Sequence, residues 1–464
     1  MCWWKGLVHL QRVKCATNHK IFTFLSIPQT NRKINLLQAT SINMIDMVGI
    51  GPFVVMPFVV AQFTDGLFIW AWIFGAVTAF ADAMIWSELG AKYPLAGGTY
   101  NFHRIAFGER GGRLMSFLFV WQTSIQAPLV VASASIGFAQ YLTYIIPLEL
   151  WQQKIVSGSL VILVFILLYR KIETIGKISV VMGSIVVLTI LWIIVSGLMA
   201  QQQPVKVLPS GEESFFTYAF WAAVGQASVK TVYAYLGYYN VCHLGGEIKN
   251  PGKNIPRSIF ISIIGISTLY LLMNISVMGV IPWQVVRTDD KYLVSTFMQT
   301  IYGQQAGIIV TILILCIAFS SLFAVVLGYS RVPYAAAVDG NFFKPFARLH
   351  PVKNFPYISL LVLCASGFVF SLLFKLSDVI SSILAMRIVI QFIGQSAGVT
   401  LLRKRFGSKD LPFKMWLFPV PVILSIAIWL FLFFSTGWFA LWGSLIAVIG
   451  VGIYFLTSRF KRTA

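Results

Sequence analysis

The stretches of this chain best suited to chemistry are two places where a helix cannot continue. Gly49-Ile50-Gly51-Pro52 interrupts one long apolar run. Pro52 has no amide hydrogen to give and disfavours helix at the residue before it, while Gly49 and Gly51 let the backbone turn without a Cβ clash. Tyr235-Leu236-Gly237-Tyr238-Tyr239-Asn240 interrupts a second run. Inside lipid each freed peptide group costs several kcal/mol, so a break persists only where protein, water or a ligand satisfies it. The half-helix that restarts after the first break aims its N–H groups and positive dipole end at the gap, which suits a carboxylate. The second break offers carbonyls, which suit an ammonium. Together they describe main-chain capture of a zwitterion such as an α-amino acid. A glycine-proline kink used only for close helix packing has the same local sequence; the matching break at Gly237 favours the binding reading. Around the second gap Tyr233, Tyr235, Tyr238 and Tyr239 provide either the lid and wall of a pocket or an aromatic packing face.

An ionisable side chain within an apolar span is costly and marks function by default. Lys230 and Arg387 fall in the outer halves of their runs. Facing one vestibule, they make a cationic entry that favours a substrate with a second carboxylate, such as glutamate; an outer gate at Arg387, or snorkelling towards headgroups, are the alternatives. Asp46 and Asp82 fall in inner halves and are candidates, with Arg331, for an inner gate or a proton relay, against a plain structural pairing. His243 titrates in a useful range, but a packed neutral imidazole is the commoner use. No carboxylate is expected beside either break, which weighs against a polyamine or other amine as substrate.

Intramembrane enzymes and ATP-driven pumps are disfavoured. The sequence has no His-Glu-x-x-His, no Gly-x-Gly-Asp pair and no phosphate-binding Gly-x-x-x-x-Gly-Lys-Ser/Thr loop, and its Gly394-Gln395-Ser396-Ala397-Gly398 falls inside an apolar span, not on the strand-to-helix turn of a nucleophile elbow. Cys2, Cys15, Cys242, Cys316 and Cys364 form no close pair, so neither a disulfide nor a metal site is expected.

The elements that must position these residues follow from composition. Of 464 residues 58% are hydrophobic and 11% charged, against roughly a quarter charged in an average soluble domain. Apolar runs of about 20 residues, the length that crosses a bilayer as helix, recur from end to end. Spans are predicted at 42–61, 67–87, 114–142, 155–170, 175–198, 218–243, 258–280, 306–330, 357–374, 379–402, 416–434 and 438–457. The fold class is therefore all-α polytopic membrane protein, with lipid as solvent. The net charge of +20 lies between the runs, not in one patch, so nucleic acid is not an expected partner. With alternating loops, Lys154, Lys206, Arg287, Lys291 and Lys375 fall on one side, Lys230 and Arg387 within spans, and all other basic residues on the side of the N-terminus. The positive-inside rule then puts both termini in the cytoplasm, and the cell membrane is the expected location.

Residues 1–35 carry six basic and no acidic groups and read as a cytoplasmic tail, not a signal peptide; Trp3, Trp4, Leu7 and Leu10 would suit a short interfacial helix. Residues 36–402 form the expected core, as two five-helix halves over about 36–200 and 215–402, whose first helices carry the two interruptions. Residues 403–464 add two helices and a short C-terminus. Breaks at corresponding places in two halves point to a binding site at mid-membrane.

At these residues the chain resembles the amino acid–polyamine–organocation superfamily of permeases, built on the LeuT-type inverted-repeat fold, over about residues 36–460. Met47-Val48-Gly49-Ile50-Gly51-Pro52 looks like that family's break in the first helix, and Glu88-Leu89-Gly90-Ala91-Lys92-Tyr93-Pro94 through Gly97-Gly98-Thr99-Tyr100 like its loop after the second. Gly246-Glu247-Ile248-Lys249-Asn250-Pro251 is similar to the end of the sixth helix, and Ser330-Arg331-Val332-Pro333-Tyr334-Ala335 with Asp339-Gly340 to the end of the eighth. The resemblance implies an amino-acid transporter working by alternating access, driven by sodium, protons or exchange. It implies backbone amides of Gly49, Ile50 and Gly51 on the substrate carboxylate, and carbonyls of Tyr233 and Leu236 on the amine, with Tyr233 as an aromatic gate and Gly237 and Tyr239 lining the site. Ser320 and Ser321 fall near the hydroxyl ligands of sodium-coupled relatives. The lysine of some proton-coupled members is missing from Val180–Val186, and Tyr239 stands where members that exchange arginine often keep an acidic or polar residue, which disfavours a cationic substrate. A non-transporting sensor on this fold would need an extra soluble domain, for which only the tail is on offer.

Overall fold

The computed structural model describes residues 32–463 except 96, 170–174, 210–214 and 354, and leaves aside the side chains of 175–179 and 457–463. The expected interfacial helix at Trp3, Trp4, Leu7 and Leu10, with Cys2 and Cys15, lies outside the described residues. The chain is a polytopic α-helical membrane protein. Among the described residues the only extended pairing is one parallel bridge, in which Ile34 N donates to Glu247 O (3.0 Å) and Lys249 N to Ile34 O (2.9 Å).

In chain order the helices are α1 (Leu36–Met47), α2 (Gly51–Val60), α3 (Ile69–Lys92), α4 (Thr99–Ala106), α5 (Gly108–Leu142), α6 (Leu150–Leu168), α7 (Ile175–Met199), α8 (Tyr218–Tyr235) and α9 (Asn240–His243). There follow α10 (Pro251–Met278), α11 (Leu293–Tyr302), α12 (Gln304–Tyr329), α13 (Arg331–Val338), α14 (Tyr357–Leu373), α15 (Leu376–Arg387), α16 (Gly394–Phe406), α17 (Val420–Ser435) and α18 (Trp438–Thr463). Eight described helical stretches are long and apolar enough to cross a bilayer, two of them being α12 with α13 and α15 through α16; α1 and α2 pass that test only as a pair, bent by 44°. The shorter apolar helices α14 and α17, and the interrupted α8–α9, account for the remaining expected spans. Three loops of the sequence reading hold short helices, α4, α11 and α13; polar faces hid them among the connections.

Local chemistry explains the ends. Asn35 and Gln38 form a reciprocal cap at the start of α1, Asn35 Oδ1 accepting from Gln38 N (2.9 Å) and Gln38 Oε1 from Asn35 N (3.0 Å). Pro52 and Pro251 sit in first turns, where a missing N–H costs nothing. The helix expected over 379–402 has a wider, π-helical stretch at Ile388–Ile393, between α15 and α16. Such turns favour functional sites, and no proline or glycine precedes it to betray it in sequence.

The centre is built from the two interrupted helices and their neighbours. α1 packs on α10, α3 on α8, α2 on α8, and α3 on α10. Outermost is α18, with Trp438, Leu441 and Val448 each more than half exposed, as a lipid-facing helix requires.

Candidate functional site

The two breaks lie against one another. α1 stops at Met47 and α2 restarts at Gly51; among the described residues the amides of Gly49, Ile50 and Gly51 have no acceptor. Three consecutive free donors at a helix start form an anion seat by geometry and dipole alike. A Cβ on Gly51 would come within 3.2 Å of Tyr233 Cε1 and 3.5 Å of Ala234 Cα in α8. Conversely, Gly237 has φ +124°, which side chains rarely adopt, and a Cβ there would meet Asp46 C and Met47 N at 2.7 Å. Each helix therefore seats its glycine on the other's backbone, an approach that no larger residue permits.

A residue the sequence reading missed joins the same two ends. The Tyr270 hydroxyl, from α10, lies 3.0 Å from Met47 O and 3.2 Å from Ala234 O. One phenol thus caps the last turns of α1 and α8, whose carbonyls would otherwise lack donors. Its ring is fully buried between Trp72 (5.4 Å) and Tyr235 (5.2 Å). Nothing in Leu269-Tyr270-Leu271-Leu272 distinguishes it from a packing aromatic.

The four tyrosines of the second break divide. Tyr235 donates to Trp72 O (3.2 Å) and Tyr238 to Asp82 Oδ2 (2.6 Å), and both are fully buried packing residues. Tyr233 is only half-buried; its hydroxyl pairs with Ser133 Oγ (2.8 Å) while its ring faces Gly51. Tyr239 stacks on Trp86, with centroids 4.5 Å apart. Leu236 follows the last turn of α8, its N–H donating to Val232 O and Tyr233 O (3.1 and 3.3 Å). Its own carbonyl has no donor among the described residues.

Arg387 departs from expectation. Read as lining an outer vestibule, it is instead 2% exposed, at the end of α15 just before the π-helical stretch. Its guanidinium lies 5.1 Å from the Tyr239 ring and 5.6 Å from that of Phe392, and Nε donates to Gln391 Oε1 (3.0 Å). Nη2 has no partner, and no carboxylate reaches it as an ion pair among the described residues. Lys230 is also engaged, giving hydrogen bonds to Ser377 O and Ser381 Oγ (both 2.9 Å) and so tying α8 to α15. The two cations do not form a shared open entry.

The acidic groups likewise move from their expected places. Asp46 is beside the second break, its Cβ 3.0 Å from a Cβ built on Gly237, so a carboxylate does adjoin a gap. Its charge interacts with that of Arg387 without forming a close pair. Asp82 accepts from Trp86 Nε1 (2.7 Å) and Tyr238 Oη (2.6 Å), and thereby pins the second break to α3. Arg331 spends Nη1 on Leu327 O of its own chain segment (2.6 Å) and pairs with neither aspartate, so the three do not assemble an inner gate here. His243 is packed among the rings of Trp86, Tyr239 and Tyr329.

The serine pair separates by direction. Ser320 donates to Cys316 O (2.7 Å) and faces Met182 of α7, whereas Ser321 Oγ lies 2.7 Å from where a Cβ on Gly49 would be. Of the two, Ser321 adjoins the first break.

A profile of the amino acid permease family matches residues 34–456. The chain is 25% identical over 408 residues to the serine/threonine exchanger of Bacillus subtilis (strain 168), covering 85% of this chain and 89% of that one. It is 26% identical to the branched-chain amino acid permease of the same organism, covering 92% and 93%. To the human cystine/glutamate transporter it is 27% identical, covering 92% and 85%. The chain belongs to the amino acid permease family, within the amino acid–polyamine–organocation superfamily, and is a transporter, not an enzyme.

Proposed function

We propose that this permease carries a free α-amino acid across the cell membrane by alternating access, holding it by main chain between the two breaks. The amides of Gly49, Ile50 and Gly51 take the α-carboxylate, and the carbonyls of Tyr233 and Leu236 take the amine. Tyr233 closes the site from above Gly51. The observation that carries this reading is the run of three amides without acceptors at the start of α2, where Gly51 lies against Tyr233 and Ala234 of α8. A buried polar group is rarely left unpaired, and a carboxylate in that gap satisfies all three.

The substrate side chain then extends towards Tyr239 and Arg387. A buried guanidinium without a carboxylate is costly by itself; an acidic or strongly polar substrate side chain supplies what it lacks. The similarity to a cystine/glutamate transporter supports this choice. A polyamine remains disfavoured, because the carboxylate of Asp46 is opposed by the Arg387 charge. Gradient-driven uptake and exchange share this binding geometry. The two termini are proposed to lie in the cytoplasm, on the side richest in basic residues.

Gly51→Val tests the site. Its side chain intrudes on Tyr233 and the carboxylate seat, so uptake of labelled amino acids into proteoliposomes should vanish while membrane insertion and monodispersity persist. Uptake at the parent rate would remove Gly51 from the site.

A further inference from the structure

On the basic side of the molecule, α10 presents a second feature unrelated to the breaks. Lys253 and Arg257 are one turn apart on one helix face. Both are exposed, and neither has a carboxylate partner among the described residues. Further along the same face come Phe260, Ile261 and Ile264, the isoleucines 48% and 56% exposed. Phe80 from α3, with Phe413 and Trp416 from the segment before α17, forms the opposite wall. Phe260 stacks on Trp416 at 5.4 Å and 16°, and lies 5.5 Å from Phe80 and 5.7 Å from Phe413. These residues enclose a groove of about 490 Å³.

The groove is built, because the segment that supplies its far wall is fastened. Arg403 makes a two-pronged pair with Glu88 at the end of α3, and Glu88 Oε2 also accepts from Met415 N (2.8 Å), between Phe413 and Trp416. Lys92 Nζ donates to Asp410 O (2.9 Å). Gly252 lets Pro412 lie directly on the start of α10, where a Cβ would meet it at 2.9 Å.

The order of chemistry along α10 is that of a phospholipid: cations at the outer end, aromatic and aliphatic surface running inwards. The eleven steps from Lys253 to Ile264 rise by about 16 Å, close to the roughly 15 Å of one leaflet's hydrocarbon. Basic pockets between spans on this side suit anionic headgroups. We propose that the groove binds one anionic glycerophospholipid, its phosphate between Lys253 and Arg257 and one acyl chain along Phe260, Ile264 and Trp416.

The test uses the full chain in detergent, titrated with phosphatidylglycerol or phosphatidylcholine carrying a dibrominated acyl chain, with tryptophan emission as readout. The anionic lipid should quench at a concentration on the order of tenfold lower. Lys253→Gln/Arg257→Gln should bring the two curves together without altering elution, and Trp416→Phe should remove the quenched component. Equal quenching of the parent protein by both lipids, or a preference that survives the double substitution, overturns the proposal. Loss of quenching on adding inorganic phosphate at constant ionic strength would instead mark a free-anion site and also overturns it.

Discussion

Arg387 and Arg403 occupy successive parts of the same interrupted helix, α15 and α16, and are handled in opposite ways. Arg403 is saturated: both oxygens of Glu88 receive its guanidinium, and its charge lies 4.2 Å from the Phe418 ring. Arg387, more deeply buried, has aromatic faces, one glutamine oxygen and a nitrogen with nothing to bond. A charge whose partners are all within the chain holds the chain together. A charge left incomplete at the meeting of two broken helices is the one that the substrate proposed above would complete.

Three substitutions probe that distinction. The largest effect belongs to Arg403→Ala, which strands a buried Glu88 and should cost about 3–5 kcal/mol of stability; thermal unfolding of the purified protein measures it. Arg387→Ala strands no acid, so the unfolding temperature should stay near the parent value. Binding of glutamate should weaken by about 1.5–3 kcal/mol, the worth of a charged hydrogen bond, and that of serine by much less. If Arg387→Ala unfolds the protein as Arg403→Ala does, or weakens both ligands equally, the contrast fails. Tyr270→Phe should show the smallest change, about 1 kcal/mol in stability, with weaker binding of every amino acid, since the hydroxyl positions both half-helices and touches no side chain of the substrate.

The fold was largely legible because lipid leaves the sequence few options: apolar length, glycine and proline punctuation, and the alternation of basic loops reveal the spans. The breaks at Gly49–Gly51 and Gly237 were visible for the same reason, since only a special backbone needs those residues. Rotation about a helix axis was not. Nothing around Met386-Arg387-Ile388 shows that the guanidinium packs on the rings of Tyr239 and Phe392, beside a π-helical stretch. Asp46 adjoins the second break because Gly237 is seated on the end of α1, a meeting of distant parts of the chain that local sequence does not show. Tyr270 and Glu88 act through partners hundreds of residues away in the chain or on other helices, and local pattern carries no trace of such pairs.

The small bridge between Ile34 and Ile248 bears on motion. Two backbone hydrogen bonds join the strand of chain leading into α1 to the stretch that follows α9. The inner portions of both severed helices are consequently harnessed together at the basic rim. In the alternating-access cycle proposed above, an opening on that side would swing the pair as a unit or unzip this two-rung ladder first.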